Sequence, residues 1–218
     1  MIEHPIDRAD DGDDDDDNEP DPDAPKKGDA KEPQQPPPFA TIQQNLFKSR
    51  IVLLFGEINM KVAQSISAQL LALDYESADP IKLIINSPGG HVEAGDTIHD
   101  MLRFVKAPVK VLGTGWVASA GVHIFLGAKP DHRYCLPNTR FMIHQPLGGM
   151  GGKAVDIAIE AREIIKMRER LNRVIAKETG QPYERVAKDT DRNYWMSAEE
   201  AREYGVVTHI IEGVDQYK

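Results

Sequence analysis

Three short segments of this 218-residue chain hold residue types that do chemistry. Asn86-Ser87-Pro88-Gly89-Gly90 sets two glycines behind a proline, so the backbone can turn with its N–H groups free, as an oxyanion site requires. Gly115-Trp116-Val117-Ala118-Ser119-Ala120-Gly121 places a serine among small neighbours at a strand-to-helix transition, where a helix N-terminus favours developing negative charge. It approximates a nucleophile elbow, but Val117 stands two residues before Ser119 where that motif has glycine. Met142-Ile143-His144-Gln145-Pro146 puts a potential base at the end of an apolar run. Taken singly, each has a commoner explanation: an ordinary turn, a helix cap or packing site, a structural histidine. Because each follows a strand candidate, the three are expected to converge on one sheet edge as oxyanion donors, serine and base.

That convergence needs strands joined by crossover helices. Ile51 to Phe55 is a buried-strand run closed by Gly56, Val62, Ile66, Leu70 and Leu73 recur at helical spacing, and Ile81 to Ile85 resumes the strand pattern. Ala94, Ile98, Met101, Leu102 and Val105 mark a second amphipathic helix, and Val109 to Leu112 a third strand. This βαβαβ order predicts an α/β fold with parallel strands and ligands near their C-terminal ends. Phe141 to Ile143 reads as another strand, and Gly148-Gly149-Met150-Gly151-Gly152 as a flexible or close-approach segment. Residues 153–178 form the longest helix candidate, with Ile157, Ala161, Ile164, Leu171 and Ile175 on one face and Gly180 beyond its end. At 1.5 Å per residue it is about 39 Å long, too long for this domain to cover, so part of it is expected to pack on something else, such as another subunit. Ser197-x-x-Glu200 is a capping box for a last short helix, Gly205 suits its stop, and Val206 to Ile211 reads as a final strand.

The charge is divided unevenly. Of 35 acidic residues, 14 lie in residues 1–40 against four of the 26 basic ones, with eight of the 15 prolines, a net of −10. The remaining 22 basic and 21 acidic residues give +1. Residues 1–40 therefore read as a disordered acidic, Pro-rich tail, too poor in apolar surface to offset its ordering entropy, and residues 41–218 as one domain. A nearly neutral body excludes a basic nucleic-acid platform, so no nucleic-acid partner is expected. No apolar run approaches the roughly 18 residues needed to span a bilayer, and an acidic N-terminus lacks the basic region of a secretory signal, which predicts a cytoplasmic protein away from membranes. Cys135, the lone cysteine, reads as a small buried thiol. His91, His99, His123, His132 and His209 show no metal-ligand spacing. Gly152-Lys153 is followed by Ala154, and Leu147 stands where a phosphate loop would need glycine, so the chain is expected to bind no cofactor.

Ile85-Asn86-Ser87-Pro88-Gly89-Gly90, Ala118-Ser119-Ala120-Gly121, Leu136-Pro137-Asn138 and Met142-Ile143-His144-Gln145-Pro146-Leu147-Gly148-Gly149 stand in the order and spacing of ClpP, the proteolytic subunit of the ATP-dependent Clp protease. The chain resembles this family from about Gln44 to Glu212. The resemblance implies a crotonase-like α/β spiral of βαβ units with a protruding handle helix, here the Gly148 to Gly152 segment and the helix from Lys153. It implies Ser119 as nucleophile and His144 as general base, with the backbone N–H groups of Gly90 and Ala120 as oxyanion hole. It further implies a tetradecamer of two stacked heptameric rings around a chamber, cutting unfolded proteins and peptides. ATP would be used by a separate AAA+ unfoldase of the Clp type.

Two departures stand out. The family's D-T-x-R-D segment reads Asp189-Thr190-Asp191-Arg192-Asn193, so the implied triad is Ser119-His144-Asn193. An amide oxygen can fix the histidine tautomer, as in papain-like proteases, but it brings no negative charge to the imidazolium. Asp191 and Arg192 match positions used for contacts between subunits. Gln44 to Lys48 replaces the family's Tyr/Ser-Arg-Leu-Leu-like stretch, and the acidic tail stands where an axial pore segment is expected. Three readings follow: a chambered serine endopeptidase, a weakly active structural subunit of a ring mixed with a more active paralogue, or a crotonase-fold acyl-CoA enzyme in which the Ser119 and His144 pair has no role.

Overall fold

Short runs of Ile, Leu and Val alternate with amphipathic helices, and the chain resolves them as a seven-stranded sheet with helices packed on it. The computed structural model describes residues 38–148 and 151–217; the sequence expectations for residues 1–37, and for Gly149 and Met150, lie outside the described residues. In order come α1 (Pro38–Lys48), β1 (Ile51–Phe55), α2 (Met60–Glu76), β2 (Ile81–Ser87), α3 (Val92–Phe104), β3 (Val109–Ala118) and α4 (Ala120–Phe125). They are followed by β4 (Arg133–Cys135), β5 (Arg140–Ile143), α5 (Ala154–Thr179), α6 (Tyr183–Asp189), β6 (Tyr194–Met196), α7 (Ala198–Tyr204) and β7 (His209–Ile210). The strand order is β1-β2-β3-β4-β7, with β5 branching from β3 and β6 from β5. Every pairing is parallel except β5 with β6.

The helices bury the faces their spacing predicts. α2 packs Ala63, Ile66, Leu70 and Leu73 into the core, and α3 packs Ala94, Ile98 and Leu102. Asn59 starts α2, its side chain accepting from the N–H groups of Lys61 and Val62 at 3.0 Å. The capping box Ser197 to Glu200 forms at the head of α7, and Gly205 ends it with φ +91.

β3 is longer than the Val109 to Leu112 run, and the reason lies in its glycines. Ile85 pairs with Gly113 but Ser87 with Val117, so β3 bulges between them. A Cβ on Gly113 would stand 3.1 Å from the Phe141 ring and 3.2 Å from Val117, and Gly115 has φ +63. Packing and conformation thus exclude side chains where the apolar pattern stops, while the strand continues. The bulge also splits the sheet: Val111 to Gly113 pair with β4, and Trp116 to Ala118 pair with β5. Conversely, β7 covers only two residues of the expected Val206 to Ile211 strand. The N–H groups of Val206 and Val207 are drawn back to the Ala201 carbonyl at the end of α7.

α5 is the expected long helix, ended by Gly180 in the left-handed conformation. Only its C-terminal part enters the core, through Asn172 and Ile175; Val155, Ile157, Ile159 and Ile165 are between 42% and 70% exposed. Arg133 anchors this end of the helix. It is fully buried, and its guanidinium donates to the carbonyls of Leu126, Ala128 and Glu178 and to the Glu178 carboxylate at 2.6–3.0 Å. Burial pushes its pKa down while Glu178 opposes this, and a buried charge with one partner removed is strongly destabilising. Arg133→Met is therefore expected to cost about 3 kcal/mol or more of unfolding free energy, seen as a lower urea midpoint with an unchanged slope.

Candidate active site

The C-terminal ends of β2, β3 and β5 bring the three chemical segments together. Ser119 joins β3 to α4 with φ +55 and ψ −121, a conformation that costs a residue bearing a Cβ about 1–3 kcal/mol. Its backbone is fixed on several sides. Its N–H donates to the Met142 carbonyl at 2.8 Å, and its carbonyl accepts from Val122 N at 3.0 Å and His123 N at 3.2 Å. Gly89 packs against it so closely that a Cβ there would lie 2.6 Å from Ser119 Cβ and 2.8 Å from the Ala118 carbonyl oxygen.

Ser119 Oγ and His144 Nε2 are 2.7 Å apart. His144 leaves the end of β5, half-buried. The antiparallel pairing of Ile143 with Tyr194 sets Asn193 beside His144 from the neighbouring strand. Burial lowers the His144 pKa below the ordinary imidazole value, against the Asn193 hydrogen bond, which raises it. The net shift favours the neutral, basic ring at neutral pH.

The Gly89-Gly90 turn is held from behind. Ile58 N donates to the Gly89 carbonyl at 2.9 Å, and His91 N donates to the Ile58 carbonyl at 2.8 Å. In a trans peptide the Gly90 N–H points opposite to the Gly89 carbonyl, hence away from Ile58. Ser87, fully buried, donates through Oγ to the Gly56 carbonyl at 2.6 Å and accepts from Gly89 N at 3.0 Å. Ala120 opens α4, and the first N–H groups of a helix have no acceptor within it. An apolar pocket lined by Val92, Val122, Ile143, Pro146, Leu171 and Ile175 opens beside Ser119 and His144.

Of the other sequence candidates, Asp191 lies beside the site rather than in it. Its carboxylate is 3.4 Å from Arg168, and its carbonyl accepts from Gln145 Nε2 at 2.8 Å. Arg192 is exposed. Two features escaped sequence reasoning: the buried Ser87 hydroxyl, and a cluster of Asp96, His99 and His123 behind α4. Asp96 and His99 are three apart on α3, and His123 is four after the serine, but nothing in the sequence pairs the two stretches.

The family model described as Clp protease matches residues 34–214. The chain belongs to the Clp protease family. The ATP-dependent Clp protease proteolytic subunit 2 of Gluconobacter oxydans is 61% identical over 183 residues, covering 83% of this chain and 82% of that protein. Proteolytic subunit 3 of Rhizobium etli is 57% identical over 169 residues, covering 78% and 87%. An asparagine-to-aspartate mutant of ClpP1 from Listeria monocytogenes superposes with a TM-score of 0.76 at 57% identity, over 81% of this chain and 99% of that one. The parallel-dominated sheet with its projecting helix is thus the ClpP fold, in a family of serine-type peptidases that work in rings with Clp ATPases. In this Clp protease chain the contact between Gly89 and Ser119 leaves no room for a methyl group. Gly89→Ala, also at φ +98, is expected to displace the serine and slow its labelling by a fluorophosphonate about tenfold or more, with the fold retained by circular dichroism.

Proposed function

We propose that this chain is a serine endopeptidase that cuts unfolded polypeptides inside a double-ring chamber. The 2.7 Å contact of Ser119 Oγ with His144 Nε2 carries this reading. Ser119 Oγ attacks the scissile carbonyl carbon while His144 Nε2 takes its proton. The resulting oxyanion is met by the N–H groups of Gly90 and Ala120. The carbon–nitrogen bond then breaks, and His144 returns the proton to the departing amine. Water, deprotonated by the same ring, releases the acyl group and restores the serine. Asn193 acts as orienter: its amide oxygen accepts from His144 Nδ1–H and keeps Nε2 free to act as base. The apolar pocket receives the side chain preceding the scissile bond. Asp191 and Arg192 serve contacts between neighbouring subunits of stacked heptameric rings, and the exposed apolar face of α5 supports an inter-ring role for the handle. ATP is spent by a separate AAA+ unfoldase, and the protein works in the cytoplasm, where its buried Cys135 stays a thiol.

Asn193 also supports a second reading, a weakly active subunit in a ring shared with a more active paralogue. In another serine protease, exchanging the orienting aspartate for asparagine lowers kcat by about 10⁴. A fluorophosphonate followed by peptide mass mapping separates the readings. Each subunit of the assembled homo-oligomer is expected to carry one phosphonyl group on Ser119, absent in Ser119→Ala; resistance of the assembled protein would overturn the peptidase reading. Asn193→Asp is expected to raise peptide turnover about tenfold or more. Unchanged or lower turnover in a correctly assembled variant would remove Asn193 as the orienter.

A further inference from the structure

α4 is only six residues long, Ala120-Gly121-Val122-His123-Ile124-Phe125, yet the serine stands at its N-cap and its first residue carries the N–H assigned to the oxyanion hole. A helix this short does not hold its own orientation, so its side-chain anchors decide where its N-terminus stands. Five of the six side chains are apolar or absent and give only non-directional packing. His123 is the one polar side chain. Its ring is buried, stacked on His99 at 4.4 Å between centroids and 10° between planes, and its Nε2 stands 2.8 Å from Asp96 Oδ1. The His123 carbonyl accepts from His99 Nδ1 at 2.7 Å. Asp96 in turn receives both ends of the Arg170 guanidinium, at 2.8 and 2.6 Å, from the part of α5 that also supplies Leu171 to the pocket. Burial opposes ionisation of Asp96, yet His123 and Arg170 together hold its carboxyl well below the usual carboxylate range.

We infer that Asp96, His123 and Arg170 form a positioning relay that fixes α4 against α3 and the root of α5, and so sets where Ser119 Oγ and the Ala120 N–H stand. His123 touches no reacting atom in this role. Its backbone N–H reaches the Ser119 carbonyl, so a rotation of α4 that moved the ring off Asp96 would move the serine. The relay gives α5 a link to the serine that is separate from its pocket wall: a bidentate Arg170–Asp96 pair, stronger and more directional than packing, ties the helix root to the α3 carboxylate that faces the His123 ring.

The inference rests on Ser119 as nucleophile, and its test is built to separate the two. Wild type, His123→Phe, His123→Gln and Arg170→Met are assembled, checked for ring size and unfolding midpoint, and compared in fluorophosphonate acylation rate and in kcat and KM for a peptide. Phe keeps bulk and stacking but loses the nitrogen that faces Asp96; Gln loses the ring but keeps a polar amide near the reach of Nε2. The relay requires His123→Phe to be acylated about tenfold more slowly, with kcat reduced more than KM is changed because His123 also borders the pocket, while His123→Gln stays within about threefold of wild type. Arg170→Met, at a half-exposed site, is expected to lose about threefold in kcat, and it carries the test if His123→Phe does not assemble. A purely packing role predicts the reverse order, with Phe active and Gln impaired. That order overturns the relay, as does an Arg170→Met protein with wild-type kcat. An unlabelled wild type instead overturns the nucleophile assignment itself.

Discussion

The site depends on a single backbone conformation, the left-handed turn at Ser119. A residue with a Cβ stays at φ +55 only where the surroundings over-determine it. Here three elements do so. β5 takes the Ser119 N–H, α4 takes its carbonyl, and Gly89, lacking a Cβ, lets its backbone close against Ser119 Cβ. The bulge in β3 belongs to the same constraint. By changing the partner strand from β4 to β5, it lets Ser119 emerge directly beside the end of the strand that carries His144. Serine and histidine meet because two adjacent parallel strands end at one level, so their separation is a register property of the sheet rather than of flexible loops.

Asn193 arrives beside His144 by different geometry. β6 runs antiparallel to β5, and the residue just before β6 necessarily faces the residue just after β5. The sheet thus places a side chain at this point whatever its type; whether it is aspartate or asparagine is a choice of electrostatics, not of fold. With an amide, the neutral ring is favoured by burial and opposed only by a hydrogen bond. The ground state is therefore well prepared to accept a proton, whereas the imidazolium that follows lacks a compensating charge.

Much of this was legible in the sequence, for identifiable reasons. The Ile81 to Ile85 and Phe141 to Ile143 runs, the α2 and α3 faces, and the Ser197 capping box are local patterns read by periodicity. The turn residues around Gly89, Ser119 and His144 were recognisable because each ends such a run. What stayed hidden was set by non-local packing. β4 and β6 have three residues each, too few for a period, and exist because neighbours pair with them. Gly113 looks like a strand end until the Phe141 ring is seen against it. Val206 and Val207 look like strand residues until the Ala201 carbonyl claims their N–H groups. Asp96, His123 and Arg170 come from three elements, and no spacing rule relates them.

α5 joins these layers to the world outside the subunit. Its inner half is locked: Arg133 grips Glu178 at one end, the Asn172 amide oxygen accepts from the buried Thr190 hydroxyl, and Leu171 and Ile175 form a wall of the pocket. Its outer half leaves Val155, Ile157, Ile159 and Ile165 between 42% and 70% exposed. Fully burying such a side chain is worth about 1.5–3 kcal/mol, so an outer half left in water forgoes several kcal/mol that a second copy could recover. A continuous helix transmits a tilt along its length, because its hydrogen-bonded turns bend only gently unless proline or a bulge interrupts them. No proline lies between Ala154 and Thr179. Whatever covers the outer face therefore touches the same continuous helix that walls the pocket beside Ser119.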